Sequence, residues 1–252
     1  MCGRFVQALT EGDISDALSS AGYALILATM RSNEAGYDSS APMNLPARYN
    51  VAPTQQVIGL EPLLESIGDQ NRELQSCTLR WGLQQGSAGT GGRSLRPINA
   101  RIETLASKSF FRTAFLKGRK VVPANGYYEW QRSTVEPSKK PYFISDPTSP
   151  ILLLAAISRP NHETGEQEFA ALTTAAHENL RSIHDRQPVV LTPETLPLWI
   201  GEHGKPIQPL LLEHLARPLP LRAQEADPRV NSVRNDWPEL ITKPEETDPL
   251  FR

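Results

Sequence analysis

The sequence has few cysteines, and this scarcity argues against two classes of protein. Only two of the 252 residues are cysteines, Cys2 and Cys77. They lie far apart and form no CxxC pair, which disfavours both a disulfide framework and a cysteine-based zinc site. We therefore predict no metal site. Sparing use of cysteine also favours an intracellular, reducing compartment: the cytoplasm or nucleoid of a bacterium, or the nucleus of a eukaryote.

The sequence also lacks long apolar runs and an excess of charge of either sign. The longest apolar run, Ile151–Ile157, has the length of a strand rather than of a membrane span. The amino-terminal residues lack the basic and apolar regions of a signal peptide. We expect no membrane partner. The formal net charge is −2, so any binding of nucleic acid must come from a local basic patch.

Motifs that hold nucleotides or catalytic zinc are missing as well. The chain contains no GxxxxGK[ST] segment and no GxGxxG between a strand and a helix. His177-Glu178 is not followed by the second histidine of a zinc protease helix. We therefore expect no cofactor.

What the sequence does contain is many short apolar segments between turn residues, with 22 prolines and 16 glycines in all. Such segments are typical of an antiparallel meander that curls toward a barrel. The pattern predicts strands at 56–60, 77–83, 120–122, 126–130, 141–145, 151–157, 168–173, 189–191 and 229–233. It predicts helices at 10–20, 105–116, 175–184, from 192 through 199, and at 209–215. The predicted fold class is α+β, mostly antiparallel strands with flanking helices.

No internal repeat or break in composition divides the chain. We predict one domain over residues 1–242. The remaining residues, 243–252, include a Pro-Glu-Glu-Thr-Asp-Pro stretch, whose composition disfavours a packed core and predicts a disordered tail.

The first candidate for chemistry is Cys2, directly behind the initiator methionine. Removal of Met1 would leave an α-amine and a thiol on adjacent carbons of one residue. Their reference pKa values of about 7.7–8.0 and about 8.5 leave both groups partly reactive near neutral pH. The plain alternative is a small second residue that merely permits removal of methionine.

Three further polar residues are ambiguous when taken singly. Glu129 stands between aromatic residues in a predicted strand, where burial would raise its pKa and suit it to proton transfer. A solvent-facing position would give it no such role. His184 fits a helix cap as well as a catalytic group, and Asn99 fits a turn as well as a substrate contact.

Five residues are candidates for contacts with nucleic acid. Arginines suit phosphate groups, and an aromatic ring can stack on a base. Scattered arginines are more often solvated surface, and aromatic residues in strands are more often core. The candidates are Arg4, Arg48, Arg80, Trp81 and Arg101.

Read together, all of these residues except Arg48 fall into six short motifs that occur in a fixed order. The motifs are MCGRF (1–5), YNVAPT (49–54), RWGL (80–83), NARIET (99–104), PANGYYEW (123–130) and IHDRQP (183–188). This succession resembles the SOS-response-associated peptidase (SRAP) family, also called abasic-site processing proteins, across nearly the whole chain.

The resemblance implies an open barrel-like fold and a basic groove for single-stranded DNA that contains abasic sites. It implies covalent capture of the abasic aldehyde by Cys2 as a thiazolidine after removal of Met1, with Asn99, Glu129 and His184 as catalytic partners. Autopeptidase removal of Met1, lyase activity and a monomeric state are further expectations. Trp81, Arg4, Arg48, Arg80 and Arg101 are the residues expected to contact DNA.

The chain departs from the family pattern in two places. A Gln/Gly/Ser-rich stretch at 84–96 replaces a common Pro and Trp segment, and Gln187 stands where methionine is more usual. Two rival functions also stay open. A glutamine amidotransferase with an amino-terminal nucleophile also begins Met-Cys-Gly, but would be expected to continue with Ile instead of Arg4. A non-covalent reader of modified or single-stranded DNA would make Cys2 incidental.

Overall fold

The computed structural model describes residues 2–27, 46–63, 72–85, 95–131, 139–201 and 207–244. These ranges contain strands and α-helices joined by short 3-10 helices and turns. The strands are β1 (Arg4–Gln7), β2 (Ala24–Ile26), β3 (Arg48–Val51), β4 (Gln56–Pro62), β5 (Glu73–Trp81), β6 (Asn99–Arg101), β7 (Arg119–Ala124), β8 (Gly126–Gln131), β9 (Lys140–Ser145), β10 (Leu152–Pro160), β11 (Gln167–Ala175), β12 (Arg186–Pro188), β13 (Val190–Leu191) and β14 (Arg222–Glu225). The helices are α1 (Glu11–Ser20), α2 (Ser109–Lys117), α3 (Leu196–Ile200) and α4 (Pro209–Leu215).

Two sheets form the body of the molecule. The first is antiparallel with strand order β14-β9-β8-β1-β3. The second runs β12-β11-β10-β7-β4-β5-β2, with β13 on β10 and β6 on β11. A short parallel pairing of β5 with β11 closes β4, β5, β11, β10 and β7 into a ring. The predicted α+β class with a barrel-like sheet is confirmed.

Three hydrophobic clusters hold these layers together. One packs the helices against the second sheet and includes Ile14 and Trp199. Another lies between the two sheets and includes Phe5 and Tyr127, and we call the face of the first sheet that carries them the inner face. The third covers the opposite, outer face, where Tyr128 packs against the 3-10 segment around Val230.

Local chemistry explains where helix α1 begins. The Thr10 side chain accepts a hydrogen bond from Asp13 N at 3.2 Å, and Asp13 Oδ2 accepts one from Thr10 N at 2.7 Å. This reciprocal capping box satisfies two amide groups that a helix start leaves without partners. The helix predicted at 10–20 is therefore present with its cap.

A buried glutamine ties β1 to the second sheet and so positions the amino terminus. Gln7 Nε2 donates to Ile58 O at 2.9 Å and to Pro123 O at 2.8 Å, while Gln7 Oε1 accepts from Ile58 N at 2.8 Å. Both polar atoms of this buried side chain are thus hydrogen-bonded, as is usual for polar groups in a protein interior.

The strand predicted at 229–233 is wrong. Pro228–Asn231 forms a 3-10 helix, because Asp227 caps it by accepting from Arg229 N and Pro228 fits its first turn. The helix predicted at 175–184 is also wrong. Strand β11 continues to Ala175 because its end pairs with β12, and only a 3-10 turn at Glu178–Leu180 follows.

Two helices begin later than predicted. Helix α2 covers Ser109–Lys117, and a 3-10 helix at Ile102–Thr104 takes the chain into the turn before it. Helix α3 begins at Leu196, because Thr192 and Thr195 hydrogen-bond each other in a preceding turn.

Most of the predicted tail, residues 245–252, lies outside the described residues, as do Met1 and the middle of the 84–96 stretch. Within the described part, Lys243 N donates to Glu225 O at 2.9 Å. The single domain over 1–242 stays a prediction. Among the residues that the structure describes, no helix has the length and apolar character needed to span a membrane.

Candidate functional site

Cys2 lies between the two sheets, just before β1. It is 1% exposed and packs in the cluster that includes Phe5, Trp81 and Tyr127. Its Sγ donates to Arg4 O at 3.7 Å. Burial, followed by the negative charge of Glu129, raises the pKa of the Cys2 thiol. The thiol is therefore neutral at rest and needs a base before it can act as a nucleophile.

Asn99 holds the backbone of Cys2. It lies on β6, at the side of β11, and its Nδ2 donates to Cys2 O at 2.8 Å. Because a carbonyl oxygen only accepts, this contact fixes which way the amide points. Asn99 Oδ1 is buried and has no hydrogen-bond partner among the described residues. That oxygen is an acceptor available beside the first residues of the chain.

Glu129 supplies a buried carboxyl group on the inner face. Side chains alternate along β8, so Glu129 and Tyr127 point to the same side. Glu129 is 3% exposed. Burial raises the pKa of its carboxyl, while the positive charge of a protonated His184 would lower it. A carboxyl group with a raised pKa can exchange protons near neutral pH.

His184 lies in the turn before β12, at the rim of the site. Its side chain is 26% exposed. The Nδ1 atom accepts from Arg186 N at 2.9 Å and lies 3.0 Å from Asp185 Oδ1. A neutral ring cannot hydrogen-bond both groups through one nitrogen, and Asp185 is mostly exposed to water. The bond from Arg186 N therefore favours the tautomer that carries its proton on Nε2.

Sequence reasoning missed Tyr127, which is fully buried beside these groups. Its hydroxyl has no hydrogen-bond partner within the described part of the chain. The signal was present in the sequence, since Tyr127 stands two residues before Glu129 in a strand and must share its face.

Sequence reasoning also missed a contact that joins two motifs. Arg186 donates to both carboxylate oxygens of Glu103, at 2.7 and 2.8 Å, and to Thr173 O at 2.7 Å. Such a forked pairing fixes the geometry of both residues. Glu103 lies in the 3-10 helix that directly follows β6.

Two of the predicted DNA-contacting arginines have their guanidinium groups on the outer face or at its edge. Arg4 Nη1 donates to Asn50 Oδ1 at 2.8 Å and to Val230 O at 2.9 Å. Arg48 pairs with Asp236, and its Nη2 donates to Gln55 Oε1 at 3.0 Å. Both guanidinium groups are thus already engaged in holding the fold.

The remaining predicted contacts fall into three environments. Arg80 pairs with Glu166 at 2.9 Å. Trp81 is 0% exposed, donates to Ile98 O at 2.9 Å and stacks on Phe169. Its ring offers no face to a base, so the expectation of stacking does not fit its core position. Arg101 is exposed, adjoins the Asn99 strand position, and forms no ion pair or side-chain hydrogen bond with the described residues.

One departure from the family pattern is accommodated by local packing. Gln187 is 1% exposed, accepts from His177 N at 2.8 Å and donates to Leu219 O at 3.1 Å. The stems of the 84–96 stretch meet at a bridge between Gln85 and Leu95. Among the described residues, no group of three or more His, Cys, Asp or Glu side chains is placed to hold a metal ion.

Comparison with known proteins points to one family. Residues 1–233 match the family described as SOS response associated peptidase (SRAP). The abasic site processing protein YoqW of Bacillus subtilis is 34% identical over 200 residues, covering 77% of this chain and 84% of its own. The abasic site processing protein YedK of Escherichia coli is 31% identical over 246 residues, covering 96% of this chain and 99% of its own.

Solved structures share the fold. A protein from Bacteroides thetaiotaomicron, 21% identical, aligns with a TM-score of 0.66 over 97% of this chain and 100% of its own. A phage-related protein from Bordetella bronchiseptica, 26% identical, aligns with a TM-score of 0.61 over 89% of this chain and 93% of its own.

Proposed function

Because the chain belongs to the SOS response associated peptidase (SRAP) family, we propose that it is an abasic site processing protein that captures the abasic aldehyde through Cys2. The single observation that carries the proposal is the contact of Asn99 Nδ2 with Cys2 O at 2.8 Å. The charge of the buried Glu129 acts on the same residue, which supports a role for Glu129 as its acid–base partner. The names of YoqW and YedK support the same substrate class.

The first step uses the α-amine that removal of Met1 would free. An abasic deoxyribose opens to an aldehyde at C1′, and the amine attacks this carbon. Loss of water then gives a protonated imine. Asn99 Oδ1, a buried acceptor without a partner in the described ranges, is suited to hold an N–H of that amine while Nδ2 holds the carbonyl of the same residue.

The second step closes a five-membered thiazolidine. The Cys2 thiol gives its proton to the Glu129 carboxylate, the sulfur electron pair forms the bond to C1′, and the electron pair of the C=N bond returns to nitrogen. Both nucleophiles belong to one residue, so the step is intramolecular, and well-oriented cases reach effective molarities of about 10⁵ M or more. Removal of the aldehyde also removes the electron sink that β-elimination of the strand requires.

Glu129 and His184 divide the proton transfers. Glu129 is buried with a raised pKa, which suits it to take and return protons during imine formation, ring closure and reversal. His184, at the rim and with the proton on Nε2, is suited to donate to the sugar oxygen as the ring opens. The Schiff base that precedes the thiazolidine also makes lyase activity on the captured strand part of the proposal.

The DNA ligand in this proposal is single-stranded. Cys2 is buried, so C1′ of the abasic sugar has to enter the protein to reach it. A single strand allows this more easily than a duplex, in which the neighbouring nucleotides are paired and stacked. Arg101 is placed to contact a phosphate beside the lesion, since it is exposed and shares a strand with Asn99. Arg4, Arg48 and Arg80 would first have to exchange their present partners.

The proposal includes removal of Met1 by the protein itself. Met1 lies outside the described residues, so the chemistry of this step rests on the family resemblance. Intact-mass analysis of the purified protein and of an active-site variant such as Cys2→Ala measures it directly. Self-removal predicts retained methionine in the variant, whereas a host aminopeptidase removes it from both.

The decisive experiment is incubation with single-stranded DNA that contains one abasic site, followed by denaturing electrophoresis. We expect an adduct that resists denaturation, depends on Cys2, and carries the mass of the chain without Met1. An adduct that retains Met1 overturns the thiazolidine mechanism. Ammonia release from glutamine without any adduct favours the amidotransferase. Non-covalent binding that Cys2→Ala leaves unchanged favours a simple reader of DNA.

A further inference from the structure

The hydroxyl of Tyr127 has no role in the reaction as described so far. It is buried and has no hydrogen-bond partner in the described ranges, and the same is true of Asn99 Oδ1. A buried polar group left unpaired is costly, and its persistence calls for an explanation. The proposed α-amine contact accounts for Asn99 Oδ1, but not for Tyr127.

Strand geometry places Tyr127 on the inner face, close to Cys2. Tyr127 lies opposite Phe5 in the β1–β8 pairing, and Phe5 is three residues after Cys2. It is 0% exposed and belongs to the same buried cluster as Cys2 and Trp81. Burial, then the negative charges of Cys2 and Glu129, raises the pKa of the phenol well above its ordinary value. The phenol therefore keeps its proton and acts as a hydrogen-bond donor throughout the neutral range.

The Cys2 thiol needs such a donor when it ionises. At rest its proton points to Arg4 O, which leaves the lone pairs of sulfur facing elsewhere. Once the proton has passed to Glu129, the sulfur carries a negative charge in a buried place, and burial disfavours that charge. A hydrogen bond donated to the thiolate would offset this cost, because bonds to charged groups are among the strongest in proteins.

Resting on the proposed function, we infer that Tyr127 is a further catalytic residue, whose hydroxyl donates a hydrogen bond to Cys2 Sγ as the ring closes. The proton of the thiol goes to the Glu129 carboxylate, the sulfur pair forms the S–C1′ bond, and the C=N pair returns to nitrogen. The phenol keeps its own proton and only stabilises the sulfur. Tyr127 thus lowers the free energy needed to form the thiolate, which burial of Cys2 raises.

The test compares Tyr127→Phe with Tyr128→Phe, which remove the same atom from neighbouring positions. Tyr128 is a suitable control because its hydroxyl donates to Tyr49 O at 2.9 Å on the outer face. Two rates are measured from pH 6 to pH 10: adduct formation on abasic single-stranded DNA, and alkylation of Cys2 by iodoacetamide without DNA. Peptide mass spectrometry separates Cys2 from Cys77, whose buried thiol has its pKa raised to about 12.

We expect Tyr127→Phe to slow both rates about tenfold throughout this pH range, because the raised pKa of the Cys2 thiol keeps the sulfur mostly protonated over all of it. This corresponds to an upward shift of the Cys2 thiol pKa by about one unit. Tyr128→Phe keeps the wild-type profile. The midpoint of thermal unfolding of Tyr127→Phe should equal or exceed that of the wild type, because the substitution removes an unpaired buried hydroxyl.

Profiles for Tyr127→Phe that coincide with those of the wild type overturn the inference, and so does a lowered unfolding temperature, which would reveal a structural partner for the hydroxyl. Alkylation of Cys2 is measured without DNA, so it tests the role of Tyr127 independently of the proposed function. A wild-type protein that forms no DNA adduct but shows a Tyr127-dependent Cys2 profile refutes the function alone. An adduct-forming wild type with unchanged Tyr127→Phe profiles refutes the role of Tyr127 alone.

Discussion

Tyr127 and Tyr128 are neighbours on one strand, yet their hydroxyl groups lie on opposite faces of the first sheet and differ in hydrogen bonding. On the outer face, Tyr128 donates to Tyr49 O, and Asp236 accepts from the backbone of Tyr49 and Asn50. On the inner face, the Tyr127 hydroxyl is buried with no hydrogen-bond partner among the described residues, as is Asn99 Oδ1 on β6 of the second sheet.

This difference separates structural from chemical use of buried polar groups. The outer network is paired within the chain and fastens the segment after Asp227 onto β3, so its contribution is stability. The inner groups stand around a thiol and a carboxyl group whose pKa values are both raised by burial. Unpaired polar atoms and shifted pKa values together are typical of a site that awaits a ligand. The following predictions test this division.

The largest effect is expected from Cys2→Ser, treated with a methionine aminopeptidase so that it has the free α-amine but lacks the thiol. We expect no adduct that survives denaturation, because the hydroxyl is a much weaker nucleophile and the thiazolidine cannot close. The imine should still form and be trapped by borohydride on abasic single-stranded DNA. Trapped imine without stable adduct assigns the two nucleophiles to the two steps. A stable adduct with Cys2→Ser contradicts the mechanism.

Glu129→Gln should slow adduct formation by about 10²- to 10⁴-fold, the usual contribution of a general acid–base group. It should also change stability with a definite sign. The folded protein binds the Glu129 proton more tightly than the unfolded chain, whose carboxyl titrates near 4.5. Wild-type stability therefore falls as the pH rises from that value through the folded pKa, and glutamine abolishes the loss.

The measurement is the unfolding temperature of both proteins from pH 4 to pH 8. The unfolding temperature of Glu129→Gln should rise relative to that of the wild type as the pH increases. Each unit by which folding raises the pKa of Glu129 corresponds to about 1.4 kcal/mol of unfolding free energy. In a chain of this size that is about 3–6 °C. A difference that does not change with pH contradicts the buried-acid assignment. Glu166→Gln is a control on the second sheet, since Glu166 pairs with Arg80.

Two asparagines allow a matched comparison of the faces. Asn50 is fully buried, accepts from Arg4 and donates to Val230 O, Ser232 O and Asn235 O. Asn50→Ala leaves several buried groups unpaired, and we expect a loss of about 3 kcal/mol, or about 6–12 °C in unfolding temperature.

Asn99→Ala removes one hydrogen bond and should cost only about 1 kcal/mol in denaturant unfolding. Its adduct formation should fall sharply, because Asn99 orients the residue that reacts. Equal losses of stability in the two variants would contradict the division between faces.

The smallest effect is expected from Arg101→Ala, measured as binding to undamaged single-stranded DNA at several salt concentrations. One lost phosphate contact should weaken affinity severalfold and reduce the slope of log K against log salt by about 0.7. Arg48→Ala should leave that slope unchanged while lowering stability, since Arg48 pairs with Asp236. A lower salt slope for Arg48→Ala alone would place the DNA on the outer face instead.

Sequence reasoning predicted much of the frame because strand alternation and capping depend on residues close together in the chain. It placed α1 with its Thr10 cap and most of the strands. It failed for the strand at 229–233, where Asp227 and Pro228 start a 3-10 turn. It also failed for Trp81, which was expected to stack on a base but is buried in the core. An aromatic residue in a strand gives the same sequence pattern whether it faces a ligand or the core.

Taken by itself, the sequence determined the family, the identity of the two nucleophiles on Cys2 and the alternation that puts Tyr127 beside Glu129. Only the tertiary structure decided which of these groups meet. Asn99 and Cys2 are 97 positions apart, and Arg4 and Val230 are 226 apart. Burial and charge act through space, so the raised pKa values of Cys2 and Glu129 arise from neighbours that chain order does not reveal.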